Sequence, residues 1–190
     1  MMSLFASELL ASLPTPSSSN TSILEGIDIG LTSKPYFVDK SQAIEHSNSS
    51  EYGYSQETKQ IHLVGFDTLV RILDGKYYPP RGDLVGLHPF LERHCLRVSY
   101  RTGGGWGEKR EQDNYLDEIR EGRREGEGAK REWVTEGRIV WVEGRKEGEE
   151  VISSTRVREA VKSQDKEALR KMVTENVADY IIEEGLYSEE

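Results

Sequence analysis

The 190-residue sequence has little of several things that define whole classes of protein. It contains a single cysteine, Cys95, so no disulfide can form within the chain. It contains no apolar run of the roughly 20 residues that a membrane-spanning helix needs. Basic residues are in the minority, with 25 against 34 acidic ones and a formal net charge of -9. We therefore expect a soluble cytoplasmic or nuclear protein, with neither nucleic acid nor membrane as a partner.

The chain has the length of one ordinary domain. Its opening, MMSLFASELLASL, has the apolar spacing of an amphipathic helix. Glu8 interrupts that run and no basic region precedes it, so we do not interpret it as a signal peptide. We expect residues 1–190 to form a single domain, with a polar and flexible insert at about 108–136.

Short apolar runs alternate with segments of helical spacing along the chain. The helical segments include FDTLVRIL, directly after Gly65, and a closing stripe that ends at Gly185. Such alternation predicts an α/β fold with a mainly parallel sheet and helices on both faces. The candidate strands are Ile27–Leu31, Ile61–Val64, Leu96–Tyr100 and Ile139–Val142.

The tract from Glu108 to Glu136 alternates acidic and basic residues. Within it, Tyr115, Leu116 and Ile119 share one face of a possible helix. The following stretch GRREGEGAKR, from Gly122 to Arg131, is more typical of a solvated loop than of a ligand site, because mixed charge runs usually face water.

The segment VISSTRVREAV, residues 151–161, concentrates hydroxyl and guanidinium groups at a predicted helix start. One interpretation is structural, because Ser and Thr side chains cap the backbone N–H groups of a first turn. The other is an anion site, since a helix N-terminus attracts phosphate and arginine forks fit phosphate oxygens. Arg156 and Arg158 are placed for the second role, and the segment alone leaves both interpretations open.

A second candidate site follows the strand predicted to end at Val64. Ligands of open α/β sheets bind beyond the carboxyl ends of the strands. Gly65 there permits close approach of a ligand to the backbone. Asp67 offers a carboxylate of the kind that accepts hydrogen bonds from ribose hydroxyls. It is equally suited to capping the next helix, and the two roles are compatible.

The motifs HLVGFDTLVRIL and ISSTRVR, with the ending VADYIIEEGLY, resemble those of the nicotinamide mononucleotide adenylyltransferases. These enzymes are members of the nucleotidyltransferase superfamily and have a Rossmann-like fold. The form GFDTLVRILDGKYYPP looks particularly like the fungal branch. The resemblance covers most of residues 1–190.

The resemblance implies that AMP is transferred from ATP to nicotinamide or nicotinic acid mononucleotide, yielding a dinucleotide and pyrophosphate. It implies that Mg²⁺ arrives with ATP and is not held by dedicated protein ligands. It also assigns two groups of side chains. The ATP phosphates would be held by Ser153, Ser154, Thr155 and Arg158, and the ribose by Gly65 and Asp67.

The sequence departs from this family in one element. Members carry a first strand, a glycine-bearing loop and a His-x-Gly-His motif that contacts the α-phosphate, and the four histidines here do not form that pattern. We expect an N-terminally shortened member, with a weakened or vacant sheet centre, no assigned catalytic residue and little turnover. The alternatives are a non-catalytic nucleotide-binding protein or an inert fragment. The residue that stacks on the pyridine stays open among Trp106, Trp133, Trp141, Tyr77 and Tyr78.

Overall fold

The computed structural model describes residues 1–13, 26–47, 54, 57–101, 105–143 and 152–188. The chain divides into two compact units. One is Thr32–Glu147, and the other combines Met1–Leu31 with Gly148–Glu190. We call the first the sheet unit, because it contains the β-strands, and the second the helical unit.

Three parallel strands form the sheet: β1 (Ile61–Gly65), β2 (Cys95–Ser99) and β3 (Ile139–Val142), in the order β1-β2-β3. The strand β2 pairs with a neighbour on each side, and its Leu96 and Val98 are fully buried. Three of the four predicted strands are thus confirmed to within one residue at each end.

The described part of the sheet unit also contains five α-helices: α2 (Phe37–Glu45), α3 (Phe66–Ile72), α4 (His88–Arg93), α5 (Lys109–Arg120) and α6 (Glu132–Thr135). Short 3-10 turns lie at Gly75–Tyr77, Leu84–Leu87 and Glu125–Glu127. Apolar side chains of the strands and helices pack into one core that includes Leu69, Leu96 and Trp133. A parallel sheet flanked by helices confirms the predicted α/β class and is consistent with a Rossmann-like nucleotidyltransferase fold.

The polar tract 108–136 contains regular structure. Glu108 and Glu111 form a capping box at the start of α5, in which the Glu108 N–H donates to Glu111 Oε2 at 2.7 Å. The buried face of α5 includes Leu116 and Ile119, as the helical spacing predicts.

The interpretation of Gly122–Arg131 as a solvated loop is wrong for Arg124. Its Nη2 donates a hydrogen bond to the Leu73 carbonyl at 3.0 Å. Its guanidinium also lies over the Tyr115 ring, 4.9 Å from the centroid. A charged side chain in a mixed run is drawn inward here because a backbone carbonyl and an aromatic face both receive it.

The helical unit consists, in its described residues, of α1 (Met2–Ser12), α7 (Ser154–Lys162), α8 (Lys166–Met172) and α9 (Glu175–Glu183). A small core joins Ala160, Leu169, Val177, Ala178 and Ile181. The predicted stop at Gly185 is confirmed. Its φ of 60° lies in the left-handed region, and the next N–H, of Leu186, donates to the Ile181 carbonyl at 3.0 Å.

Two expectations about the sheet are wrong. The segment Ile27–Leu31 has no regular secondary structure, and Leu31 is 91% exposed. Asp28 and Gly30 break its apolar run, and both residue types weaken a strand interior. The expected weakened or vacant centre is also absent from the described sheet, because β2 occupies that position and is paired on both sides.

Candidate nucleotide-binding site

The exit of β1 leads straight into α3, with Gly65 as the residue before the first helical position. Its φ is -85°, a value that any residue adopts, so backbone conformation does not require glycine here. A Cβ at this position would lie 2.8 Å from Asp67 Oδ1, so a larger residue would make the Asp67 carboxylate shift. Gly65 therefore lets the Asp67 carboxylate fold back over the end of the strand.

Asp67 lies in the first turn of α3 and makes no capping hydrogen bond, so the interpretation of Asp67 as the helix cap is wrong. Its carboxylate benefits from the positive end of the helix dipole. Oδ1 forms an ion pair with Arg101, whose Nε lies 3.0 Å away. The Asp67 side chain is 19% exposed and that of Arg101 58%, so the pair lies at the surface of the sheet unit.

Arg101 is held in turn by Gln112 of α5, whose residue is only 1% exposed. Gln112 Oε1 accepts a hydrogen bond from the Arg101 N–H at 3.0 Å. Its Nε2 donates to the Arg101 carbonyl at 2.7 Å and to the Gly107 carbonyl at 3.2 Å. The backbone just beyond β2 is therefore fixed by a buried amide.

An aromatic cluster lies beneath this edge of the sheet. The buried Phe66 ring contacts Trp106, Tyr115 and Trp141, with centroid distances between 5.5 and 6.2 Å. Trp141 also stacks on Tyr100 at 4.2 Å. Burial raises the pKa of the Tyr100 hydroxyl, and its hydrogen bond to Asp113 raises it further.

The candidates for stacking on a pyridine ring differ in accessibility. Trp133 is 2% exposed and packs in the core beside His88, so it does not face a ligand. Tyr78 is partly buried, and its hydroxyl donates to the Ile72 carbonyl at 2.7 Å. The choice among Trp106, Trp141 and Tyr77 stays open.

The second group of predicted residues surrounds the start of α7; Val151 lies outside the described residues. Ser153 is the N-cap, and its Oγ accepts a hydrogen bond from the Arg156 N–H at 3.3 Å. Ser154 and Thr155 are exposed. Arg158 reaches back along the helix, with Nη2 3.5 Å from Ser154 Oγ. Capping thus accounts for Ser153, whereas the other donors are gathered on the first two turns of α7.

The structure brings the predicted residues together in two groups. Gly65 and Asp67 meet at the exit of β1 in the sheet unit. The other group lies in the helical unit and consists of Ser153, Ser154, Thr155 and Arg158. Convergence of the two groups on one ligand stays a prediction.

Comparison with known proteins bears on this arrangement. The chain is 29% identical over 155 residues to a Schizosaccharomyces pombe (strain 972 / ATCC 24843) protein named "Putative nicotinamide mononucleotide adenylyltransferase". The resemblance to this family is confirmed. The match covers 82% of the chain but only 57% of the relative, so the chain spans little more than half the length of the protein it matches. No model of a protein family matches the chain, and no solved structure is significantly similar to it.

No group of three or more His, Cys, Asp or Glu side chains in the described part of the chain is placed to hold a metal ion. No described helix has both the length and the apolar character needed to cross a membrane.

The sequence motifs do not mark Arg101 or Gln112 as site residues, although a signal for Arg101 exists. Gly65 and Ser99 are paired across the parallel strands β1 and β2. Asp67 follows Gly65 by two residues, and Arg101 follows Ser99 by two residues. Two oppositely charged residues therefore stand at matching positions beyond the ends of adjacent strands. Gln112 carries no comparable signal, because its role depends on how α5 packs against the strand exit.

Proposed function

We propose that this chain supplies the ATP-binding part of a nicotinamide-nucleotide adenylyltransferase. The similarity over 155 residues to a protein of that name carries the proposal. The geometry at the exit of β1 and at the start of α7 supports it, because each offers the type of group that one part of ATP requires. We further propose a cytoplasmic or nuclear location.

The phosphate-binding role falls to the start of α7. Hydroxyl and guanidinium donors suit phosphate oxygens, and the helix N-terminus adds a positive potential. These donors belong to Ser153, Ser154, Thr155 and Arg158. The positive Arg158 guanidinium among them repels a cation, so Mg²⁺ would arrive on the triphosphate oxygens and neutralise charge there.

The ribose-binding role falls to Asp67, with Gly65 making room for its carboxylate. A carboxylate oxygen accepts hydrogen bonds from vicinal hydroxyls. An analogue that lacks one of these hydroxyls should bind more weakly, because the charged carboxylate then loses a hydrogen-bond partner.

The reaction would be an in-line displacement. A phosphate oxygen of nicotinamide or nicotinic acid mononucleotide forms a bond to the α-phosphorus of ATP. The bond from that phosphorus to the β-phosphate oxygen breaks, and pyrophosphate leaves with the electron pair. The protein contributes mainly positioning and charge stabilisation.

The sequence contains no His-x-Gly-His motif to stabilise charge on the α-phosphate. Losing one preorganised charge-stabilising group typically lowers the rate by about 10²–10³. We therefore expect the 190-residue chain to bind ATP but to form dinucleotide close to the background rate.

A coupled assay of NAD formation tests this division between binding and transfer. The chain is assayed alone and as an extended protein that carries a strand, a glycine loop and a His-x-Gly-His motif at its N-terminus. We expect synthesis only from the extended protein. Rapid synthesis by the 190-residue chain would show that transfer does not need the motif, and an extended protein that binds ATP without synthesis would point to a non-catalytic nucleotide-binding protein.

A further inference from the structure

The strongest unassigned feature of the sheet unit is the connected set Gln112, Arg101 and Asp67 at the carboxyl end of the sheet. We propose that Arg101 and Gln112 are positioning residues for the ATP ribose. Arg101 fixes the orientation of the Asp67 carboxylate, and Gln112 fixes Arg101. The inference rests on the proposed function, because it takes Asp67 as the group that contacts the ribose.

The first step of the argument is the placement of the two charges. Parallel pairing sets Gly65 opposite Ser99, so the chain leaves β1 and β2 side by side. Two residues beyond each exit stand Asp67 and Arg101, with Nε 3.0 Å from Oδ1. Exposed ion pairs of this kind contribute little to stability. The more important consequence of the pair between Asp67 and Arg101 is that one carboxylate oxygen is held in place.

The second step concerns the oxygen that remains. Among the described residues, Asp67 Oδ2 has no hydrogen-bond or ion-pair partner, whereas Oδ1 faces Arg101. A Cβ at position 65 would lie 2.8 Å from Oδ1, so Gly65 allows the carboxylate to keep this position without a shift. Arg101 and Gly65 together leave Oδ2 as the acceptor for a ribose hydroxyl.

The third step is the anchoring of Arg101 itself. Gln112 is 1% exposed, and a buried amide is costly unless its polar atoms are satisfied. It meets that requirement by bonding both the N–H and the carbonyl of Arg101, at 3.0 and 2.7 Å. The amide thus pairs with Arg101 as a neighbouring strand would, and α5 fixes the backbone from which the guanidinium extends.

The test compares the affinities for ATP and 2′-deoxyATP, measured by calorimetric titration with Mg²⁺ present. We expect the wild-type chain to prefer ATP about tenfold or more, the worth of one hydrogen bond to a charged group. Asp67→Asn removes most of that preference. Arg101→Ala should weaken ATP binding several-fold and leave 2′-deoxyATP binding nearly unchanged, and adding it to Asp67→Asn should cause no further loss.

Gln112→Glu extends the test to the anchor. A carboxylate at this position accepts from the Arg101 N–H but cannot donate to the Arg101 and Gly107 carbonyls. We expect a folded protein with the reduced ribose preference of Arg101→Ala. If Gln112→Glu unfolds, the result for Arg101→Ala decides the proposal.

The matched control is Arg81→Ala. Arg81 forms an ion pair of similar geometry with Asp83, with Nε 2.8 Å from Oδ2 and an exposed arginine, but on the segment between α3 and α4. It should alter neither affinity. Equal weakening of both nucleotides by Arg101→Ala would mean that Arg101 binds phosphate directly, and an unchanged preference would mean that it does not act on Asp67. Either result overturns the inference alone, whereas a wild-type chain that binds no ATP overturns the proposed function as well.

Discussion

Glu8 of α1 caps α9, although 168 positions separate it from Asn176. Its Oε1 accepts a hydrogen bond from the Asn176 N–H at 3.2 Å, and Oε2 accepts one from the Thr174 hydroxyl. The first N–H groups of a helix have no partner within the helix, and a carboxylate there also favours the helix dipole. Glu8, which interrupts the apolar face of α1, therefore links α1 to the start of α9 within the helical unit.

Glu8→Ala should lower the free energy of unfolding of the helical unit by about 1 kcal/mol, the usual cost of losing a helix cap. Urea denaturation followed by circular dichroism measures the change. The control is Glu183→Ala, which removes an exposed carboxylate from the last turn of α9 and should shift stability by less than about 0.5 kcal/mol. Equal effects of the two substitutions would deny Glu8 its capping role.

A buried histidine, His94, and a partly buried one, His62, should make the sheet unit sensitive to acid. Burial lowers the pKa of His94 and also that of His62 below 6.5. The Gln60 N–H donates to His94 Nδ1 at 3.2 Å, which places the single ring proton on Nε2, 3.0 Å from Glu45 Oε1. Below about pH 6.5 the imidazoles of His62 and His94 bind protons more readily in the unfolded chain than in the folded chain. The free energy of unfolding therefore decreases as the pH falls below that value.

The measurement is the free energy of unfolding at about pH 7.5 and about pH 5.5 for the wild type and for His94→Asn. The asparagine Oδ1 can take the place of the Nδ1 acceptor but does not titrate in this range. We expect a smaller loss of stability in the variant. The surface substitution His46→Asn serves as the control and should keep the wild-type loss. A loss of the same size in His94→Asn would contradict the assignment.

Arg124→Ala should destabilise the sheet unit by about 1–3 kcal/mol, because the buried Leu73 carbonyl loses its donor and the Tyr115 ring loses its cation. Arg123→Ala is the adjacent control. Arg123 is 57% exposed and pairs with the exposed Glu121, so its removal should cost less than about 1 kcal/mol. The free energy of unfolding of both variants is measured by denaturant titration. If Arg124 were merely solvated, the two substitutions would lower it by equal amounts.

The sequence predicts the parallel sheet well because buried strands read as short apolar runs, and Ile139–Val142 coincides with β3. It fails at Ile27–Leu31, where Asp28 and Gly30 interrupt a run of similar length and the segment has no regular secondary structure. Strand formation depends on a partner, and one short run does not reveal whether a partner is present. The position of the Arg124 side chain depends in the same way on the carbonyl of Leu73, a residue far from it in sequence.

The candidate site shows the same limit. The hydroxyls and arginines at the start of α7 are visible as a local motif, and so is Asp67 after its strand. The contacts of Asp67 are not local, because Arg101 approaches from the next strand and is bonded by Gln112 of a helix beyond it. Local residue types thus predict candidate chemistry, while its orientation is determined by tertiary packing.

The most direct test of the account is calorimetric titration of the 190-residue chain with ATP and Mg²⁺, for the wild type and for Arg158→Ala. Arg158 lies beside Ser154 on the first turns of α7, and a hydrogen bond to a charged group is worth about 1.5–3 kcal/mol. We predict measurable binding that weakens by that amount in the variant, while Lys162→Ala, which removes a charge from the last turn of the same helix, leaves it unchanged. No binding by the wild type, or equal affinity after Arg158→Ala, would contradict the phosphate site at α7.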